Sequence, residues 1–348
     1  MKNIFKFLKS KIIFISLAAL LTIITFFWFS NKTSSPVEKE PVKLNPENIT
    51  QENIDSIVDV SILKTNFPET PEKINVYQMG DFIFTQEKAL NLAKNLGFDQ
   101  PPLISQDIEL GITYSWISLE NSLTIRPTQG ELLYSLDLLN FPHLIKGNLS
   151  GIKDVEQIVD SFIFSKIITD SGDLSPQKAE SFYIRRSGPQ FVKTEKEEAE
   201  LIQSNYQFEI DNLEISRQSL KDFPLTLIIG PENRIVRLEY SAPPSKLTLI
   251  DQYPLKTKDV VLEEIVSRPK ISFLEIDGKP MTTPSDLDDI AAIKYETAKL
   301  IYLHQVDSNQ LLPAYLVSGS AILSTKEKAK VYLYVSAIKE EYIGEESK

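Results

Sequence analysis

Ser175-Pro-Gln-Lys178 has the Ser-x-x-Lys spacing in which a lysine activates a serine for acyl transfer. An acyl enzyme needs further elements. Here the four letters include a proline, the stretch reads as a loop, and no Lys-Thr-Gly follows. The serines of "VSGSAIL" around Ser320 lack the Gly-x-Ser-x-Gly elbow and fall in an alternating, strand-like run. Paired carboxylates could serve as general acid and base or hold a cation. Glu209 and Asp211 are spaced to share one face of a strand, and Asp286, Asp288 and Asp289 cluster in a loop. Neither set has the Asp/Asn-rich, glycine-turned spacing of a calcium loop. Of the two histidines, His143 follows Pro142 in a turn, and His304 sits on an apolar strand as a satisfied core or edge residue. With no cysteine there is no disulfide framework and no thiolate metal site. The sequence therefore assigns no catalytic, cofactor-binding or metal site, and predicts a protein that is not an enzyme and takes no cofactor.

Whatever chemistry the chain performs is positioned by what stands behind its N-terminal segment. Ile12 to Phe29 is a run of 18 residues without a charge. As a helix it would span about 27 Å, near the thickness of a bilayer's hydrocarbon core. Lys2, Lys6, Lys9 and Lys11 precede it with no acidic residue between them, which predicts a cytoplasmic N-terminus. A secretory signal is the rival reading. The run exceeds the usual signal core and ends in Phe-Phe-Trp-Phe, where a peptidase wants small residues. The expectation is an uncleaved, single-pass anchor in the cell membrane, with everything after it extracytoplasmic. Ser16, Ala18, Ala19 and Thr22 would give that helix a small-residue contact face.

Subtracting the +4 of those lysines from the net charge of −11 leaves −15 for the remainder. So acidic a region repels nucleic acid and anionic headgroups. Ser30 to Asn53, with prolines at 36, 41 and 46 and few apolar residues, reads as a tether.

Three segments then repeat one pattern. "TQEKALNLAKNLG" has Thr85 as N-cap, Glu87 in the first turn, an apolar stripe through Ala89, Leu92, Ala93 and Leu96, and Gly97 to end it. "DVEQIVDSFIFSK" opens with Asp154 and Gln157 at capping-box spacing. "TKDVVLEEIVSRP" has Thr257 and Asp259 at its start, a stripe of Val261, Leu262, Ile265 and Val266, and Pro269 as a stop. Alternating β-rich sequence comes after each. "ITYSWISLENSLTIRPTQGELLYSLDL" predicts a three-stranded meander, and "LTLIIGPENRIVRLEY" a hairpin turning at Gly230–Asn233. "KISFLEID", "ETAKLIYLHQV", "LPAYLVSGSAIL" and "KVYLYVSAI" predict four more strands, while "TEKEEAELIQ" reads as a surface helix boxed by Thr194 and Glu197. Helices laid on antiparallel sheets in repeated helix-plus-hairpin units give an α+β fold class. The expected organisation is a basic tail over 1–11, an anchor over 12–29, a linker over 30–73, and two α+β ectodomains over 74–245 and 246–348.

In the last unit, "QYPLKTKDVVLEEIVSRP" leads into a capped helix, "AKLIYLHQVDSNQLLPAYLVSGSAI" comes next, and "KVYLYVSAI" closes the set. This order resembles the extracytoplasmic domains of YycH/YycI-type regulators and, more distantly, the PepSY-like helix-and-hairpin module. The pattern has a strand ending near Tyr302, a polar loop, a strand led by Pro313 and Tyr315, and a final strand from Val331 to Ile338. Ser336 stands where the pattern has asparagine, and no glycine closes it. The resemblance implies a non-enzymatic, membrane-anchored protein that contacts a membrane protein partner such as a sensor kinase. The alternative expectation is an envelope enzyme or ligand-binding protein acting on peptidoglycan or peptides, which requires a concave pocket with convergent polar groups.

Overall fold

The structure is a computed structural model that describes residues 43–44, 52–53, 59–62, 67–80, 85–108, 111–163, 174–188, 190–217, 223–242, 246–267, 270–276, 290–305 and 308–344. The expected anchor over 12–29, its small-residue face, and the Asp286, Asp288 and Asp289 cluster lie outside the described residues. Among those described, no helix is long and apolar enough to cross a membrane.

The chain enters through two short strands, β1 (Glu52–Asn53) and β2 (Asp59–Ile62), then β3 (Lys73–Met79) and helix α1 (Gln86–Asn95). A meander comes next: β4 (Leu103–Asp107), β5 (Gly111–Ile117), β6 (Asn121–Arg126) and β7 (Glu131–Leu136). Helix α2 (Ile152–Phe162) precedes β8 (Ser175–Ser187), β9 (Gln190–Lys193), β10 (Leu201–Ile210), β11 (Leu213–Ser216), β12 (Leu225–Ile229) and β13 (Ile235–Ser241). The chain ends with β14 (Leu247–Pro254), helix α3 (Lys258–Ser267), β15 (Lys270–Ile271), β16 (Phe273–Ile276), and the long strands β17 (Ile290–Gln305), β18 (Gln310–Leu323) and β19 (Lys328–Ser336). The fold is α+β: a large, mainly antiparallel strand network with a few short helices.

That network contains two antiparallel layers. In the first, the order is β4-β5-β6-β7-β13-β12-β10-β8-β9. In the second, it is β17-β18-β19-β16. β11 joins them, pairing with the end of β10 on one side and parallel to β17 on the other. β3 pairs with both the start of β18 and the whole of β14.

The first layer is built by alternation along its strands. Ser204, Leu227, Leu238, Tyr134 and Leu123 are cross-strand partners along one rung. Ser204, Leu227, Leu238 and Leu123 are each 0% exposed. The helices cover this face: Ala89, Leu92 and Ala93 of α1 and Val155 and Val159 of α2 belong to the same apolar cluster. Truncating a leucine such as Leu92 to alanine there costs about 2–5 kcal/mol through lost burial and the cavity left behind. Polar bonds then fix α2 to the sheet. Tyr206 on β10 donates to Asp160 Oδ1 at 2.7 Å, and Lys178 on β8 pairs with Glu156 at 2.9 Å.

Local sequence signals account for both ends of α1. Thr85 caps α1, its side chain accepting from the Lys88 N–H, and Gly97 stands after the helix at φ 90°. Three expectations need correction. α2 is capped by Gly151 with no side-chain bond, and Asp154 only places its charge in the first turn. "TEKEEAELIQ" is not a helix: a single 3-10 turn over Lys196–Glu198 leads straight into β10. Leu201 to Ile210 are mostly buried and paired to both β8 and β12, and that pairing outweighs the local capping signal. The meander also has a fourth strand, because β4 in "LISQD" is an exposed edge that carries no burial pattern.

Candidate functional site

The face of the first layer opposite the helices carries polar residues at alternate strand positions. One rung runs Glu180, Asn205, Thr226, Glu239, Leu133 and Thr124 across β8, β10, β12, β13, β7 and β6. The next runs Phe182, Gln203, Ile228, Arg237, Ser135 and Ser122. Successive residues on a strand point to opposite faces, so this polar surface and the apolar core come from the same strands.

The second layer stands against this surface and turns it into a trough. Glu275 of β16, Leu316 of β18, and Lys330 and Tyr332 of β19 form the facing wall of a cavity of about 920 Å³. Two smaller cavities continue it. One of about 450 Å³ shares Gln190, Phe191 and Arg237 with it; the other, about 430 Å³, shares Phe223, Thr226 and Glu239. The three succeed one another along a single polar face.

Asn205 organises the floor. It is 2% exposed, and its Oδ1 accepts from Gln203 Nε2 at 3.0 Å and Thr226 Oγ1 at 3.1 Å, while its Nδ2 donates to Glu180 Oε1 at 3.0 Å. A buried amide that spends its own bonds this way locks its neighbours' rotamers. Among the described residues it leaves Gln203 Oε1 and the second oxygen of Glu180 without a protein partner. Arg237 pairs with Glu239 beside it. On the opposite wall Tyr332 donates to Glu275 Oε2 at 3.3 Å, and Lys330 lies 3.9 Å from the same carboxylate. Burial holds the Tyr332 hydroxyl above its ordinary range, reinforced by Glu275 and by the charge of Glu180 from the floor. The two layers therefore share one electrostatic environment across the trough. Four carboxylates (Glu180, Glu214, Glu239, Glu275) face three cations (Lys193, Lys330, Arg237), so the site is close to balanced in a chain of net charge −11. Phe182, Phe191, Phe223 and Tyr332 add ring surface, and Lys193 Nζ sits 4.8 Å from the Phe182 ring centre.

A separate polar cluster serves the fold. Asp211 lies in the two-residue turn between β10 and β11 at φ 54°, not on the strand face with Glu209. Its Oδ2 accepts from Tyr77 at 2.7 Å, Asn75 at 3.0 Å and Tyr302 at 3.2 Å. The turn is thereby clamped to β3 and β17.

The other residues with chemical potential have ordinary partners. Ser175 and Lys178 lie along the extended β8, not in a loop, and Lys178 is held by Glu156. Ser318 shares a bond with Thr297 at 2.6 Å, and Ser320 donates to Glu296 at 3.3 Å. His304 is buried with Nε2 3.2 Å from Asn309 Oδ1, the satisfied histidine that its apolar strand predicts. Arg186, which follows Arg185 in β8, is held by Glu200. Among the described residues, no three His, Cys, Asp or Glu side chains converge as a metal set. Sequence reading missed the trough altogether, since each contributing residue looks like the wet side of an ordinary strand. The one available signal was "LIQSNYQFEI", whose alternate positions Gln203, Asn205 and Gln207 are three amides in a row on one face.

No protein-family model matches the chain, and no curated protein matches it.

Proposed function

We propose that this chain is a membrane-anchored, extracytoplasmic binding protein without catalytic activity, and that the trough is where it takes an extended polar ligand of the cell envelope. The single observation carrying the reading is the continuity of three cavities along one polar sheet face, floored by Asn205 and its partners. Pre-set polar groups in a cleft of several hundred Å³ are the usual form of a binding site. Here the neighbours of Asn205 are held before any ligand arrives, which lowers the ordering cost of binding. The 12–29 run serves as the single-pass anchor, with the N-terminus cytoplasmic, and no nucleic acid is a partner. In the test, full-length protein in lipid nanodiscs is passed over immobilised envelope polymers, beside a Thr226→Arg variant that blocks the floor. Retention of wild type and loss of the variant supports the reading; equal behaviour of the two refutes it.

A second reading comes from the order of elements. Both β3–α1 and β14–α3 are a strand followed by a threonine-led helix, at Thr85 and Thr257, and then antiparallel strands. This supports repeated helix-plus-hairpin units of the YycH/YycI or PepSY-like kind, and with them regulation of a membrane protein such as a sensor kinase. Crosslinking in native membranes, with an anchor-swapped control, tests it: a stoichiometric kinase or transporter supports docking, and its absence removes this reading.

A further inference from the structure

We infer that the ligand of the trough is a neutral glycan chain; the inference rests on the trough being a binding site. Three features of the site narrow the chemistry.

The first is backbone access. β10, β12 and β13 in the floor are each paired on both sides, and β19 in the wall lies between β18 and β16, whereas β8 pairs with β10 over Ser175–Ile184 and with β9 only over Ile184–Ser187. A peptide bound by strand addition needs an open edge with free N–H and C=O groups. β10, β12, β13 and β19 offer none, so across the middle of the trough recognition falls to side chains.

The second is the pattern of donors and acceptors. Gln203, Asn205 and Gln207 alternate with carboxylates and with Thr226, and four carboxylates against three cations leave no strong field for an anion or a cation. A hydroxyl is a donor and an acceptor at once. A chain carrying several hydroxyls per residue satisfies both the Glu180 carboxylate oxygen that Asn205 does not take and the amide groups beside it, without bringing in a charge whose desolvation would be costly.

The third is the rings. Phe182, Phe191, Phe223 and Tyr332 line the main cavity and are only half-buried. Flat aromatic faces among amides and carboxylates suit a pyranose, which shows one face of C–H groups and a rim of hydroxyls. The continuation of the cavity at both ends suits several linked sugars better than one.

The experiment is titration calorimetry on the full-length protein in lipid nanodiscs, free of sugar-headed detergent. The probes are chitotetraose, cellotetraose, maltotetraose and an uncharged octapeptide of glycine, serine, glutamine and alanine. At least one tetrasaccharide is expected to bind with Kd of about 1 mM or tighter, a free energy that a few side-chain contacts supply. Gln203→Ala and Phe182→Ala should each weaken it by about tenfold, as expected for one lost polar or stacking contact. Leu103→Ser, on the far edge strand, should leave it unchanged, and unaltered melting temperatures exclude misfolding as the cause. Lys193→Ala serves if either floor variant fails to fold. Binding of the octapeptide but of no tetrasaccharide, lost on Gln203→Ala, overturns the glycan assignment and keeps the trough as a site. Binding of none of the probes, with wild type and Thr226→Arg alike in envelope-polymer retention, overturns both.

Discussion

Replacing Gly319 with alanine isolates a steric requirement of the wall strands. Gly319 on β18 pairs with Tyr295 on β17, next to an irregularity where Glu296 is the extra residue. A β-carbon at 319 would collide first with the Lys294 carbonyl oxygen, and would lie 2.7 Å from Tyr295 Cα and 2.9 Å from the Lys294 carbonyl carbon. Carbon atoms pack comfortably at about 3.5–4.0 Å, so the strands would have to part by close to 1 Å. The obstacle is backbone held by pairing on both sides, since β18 also bonds β19, and no rotamer change relieves it. Overpacking costs about 1–3 kcal/mol, and a backbone obstacle puts Gly319→Ala at about 3. For a unit that runs from Lys43 to Lys348 that is about 5 °C in Tm. Thermal and urea unfolding of the full-length protein read it directly. Gly97→Ala is the matched control: nothing lies within 4 Å, but the backbone sits at φ 90°, so its cost is conformational and near 1 kcal/mol. A Gly319→Ala variant within about 0.5 kcal/mol of wild type, or one no worse than Gly97→Ala, would refute the steric argument.

Three further outcomes are expected. Lys256 is buried and bonded to Glu264 at 2.6 Å, with side chains 4% and 37% exposed. Glu264→Gln strands a buried ammonium and should cost about 2–3 kcal/mol in urea unfolding, whereas Lys256→Met should stay within about 1 kcal/mol of wild type. Asp211→Ala removes the acceptor shared by Tyr77, Asn75 and Tyr302 and should cost about 1–2 kcal/mol in the same assay, Tyr302 keeping its bond to the Asn75 carbonyl at 3.0 Å. At high pH, burial holds Tyr240 and Tyr295 well above the ordinary tyrosine range, and burial with only partial relief from Ser216 pushes Tyr334 up to about 12. The unfolded chain then loses these protons first. Stability is therefore fully present below about pH 10 and falls as pH rises above it, with tyrosinate absorbance rising together with unfolding. Absorbance that rises fully while the circular dichroism of the fold is unchanged would contradict that coupling.

Much of the fold was legible where one local rule decided it. Thr85 and Gly97 bracket α1 as cap and terminator, and Gly230–Asn233 turns its hairpin with Glu232 and Asn233 at positive φ. His304 is the satisfied residue its strand predicts. Rules failed where distant pairing competed. Thr194 and Glu197 spell a helix start, but pairing to β8 and β12 holds Leu201 to Ile210 as strand. β4 has apolar Leu103 and Ile104 at 65% and 62% exposed, so burial gave it no signature. Asp211 looked like a strand residue, whereas the chain reverses at it. The trough was the least legible part. Arg237 meets Ser135, and Asn205 meets Glu180, only through registers set by partners up to about a hundred positions away, and alternation says which face a residue takes but not what faces it.

The central claim is that the trough holds a polar chain, and hydroxyl-radical footprinting tests it most directly. Full-length protein in lipid nanodiscs is labelled with and without solubilised envelope polymer, and modification is read residue by residue. The account predicts protection at Phe182, Phe191 and Tyr332, which line the cavity, with no change at the outward-facing Leu90, Leu249 and Val260. Unchanged labelling of the three rings, or protection confined to the outward residues, would contradict it.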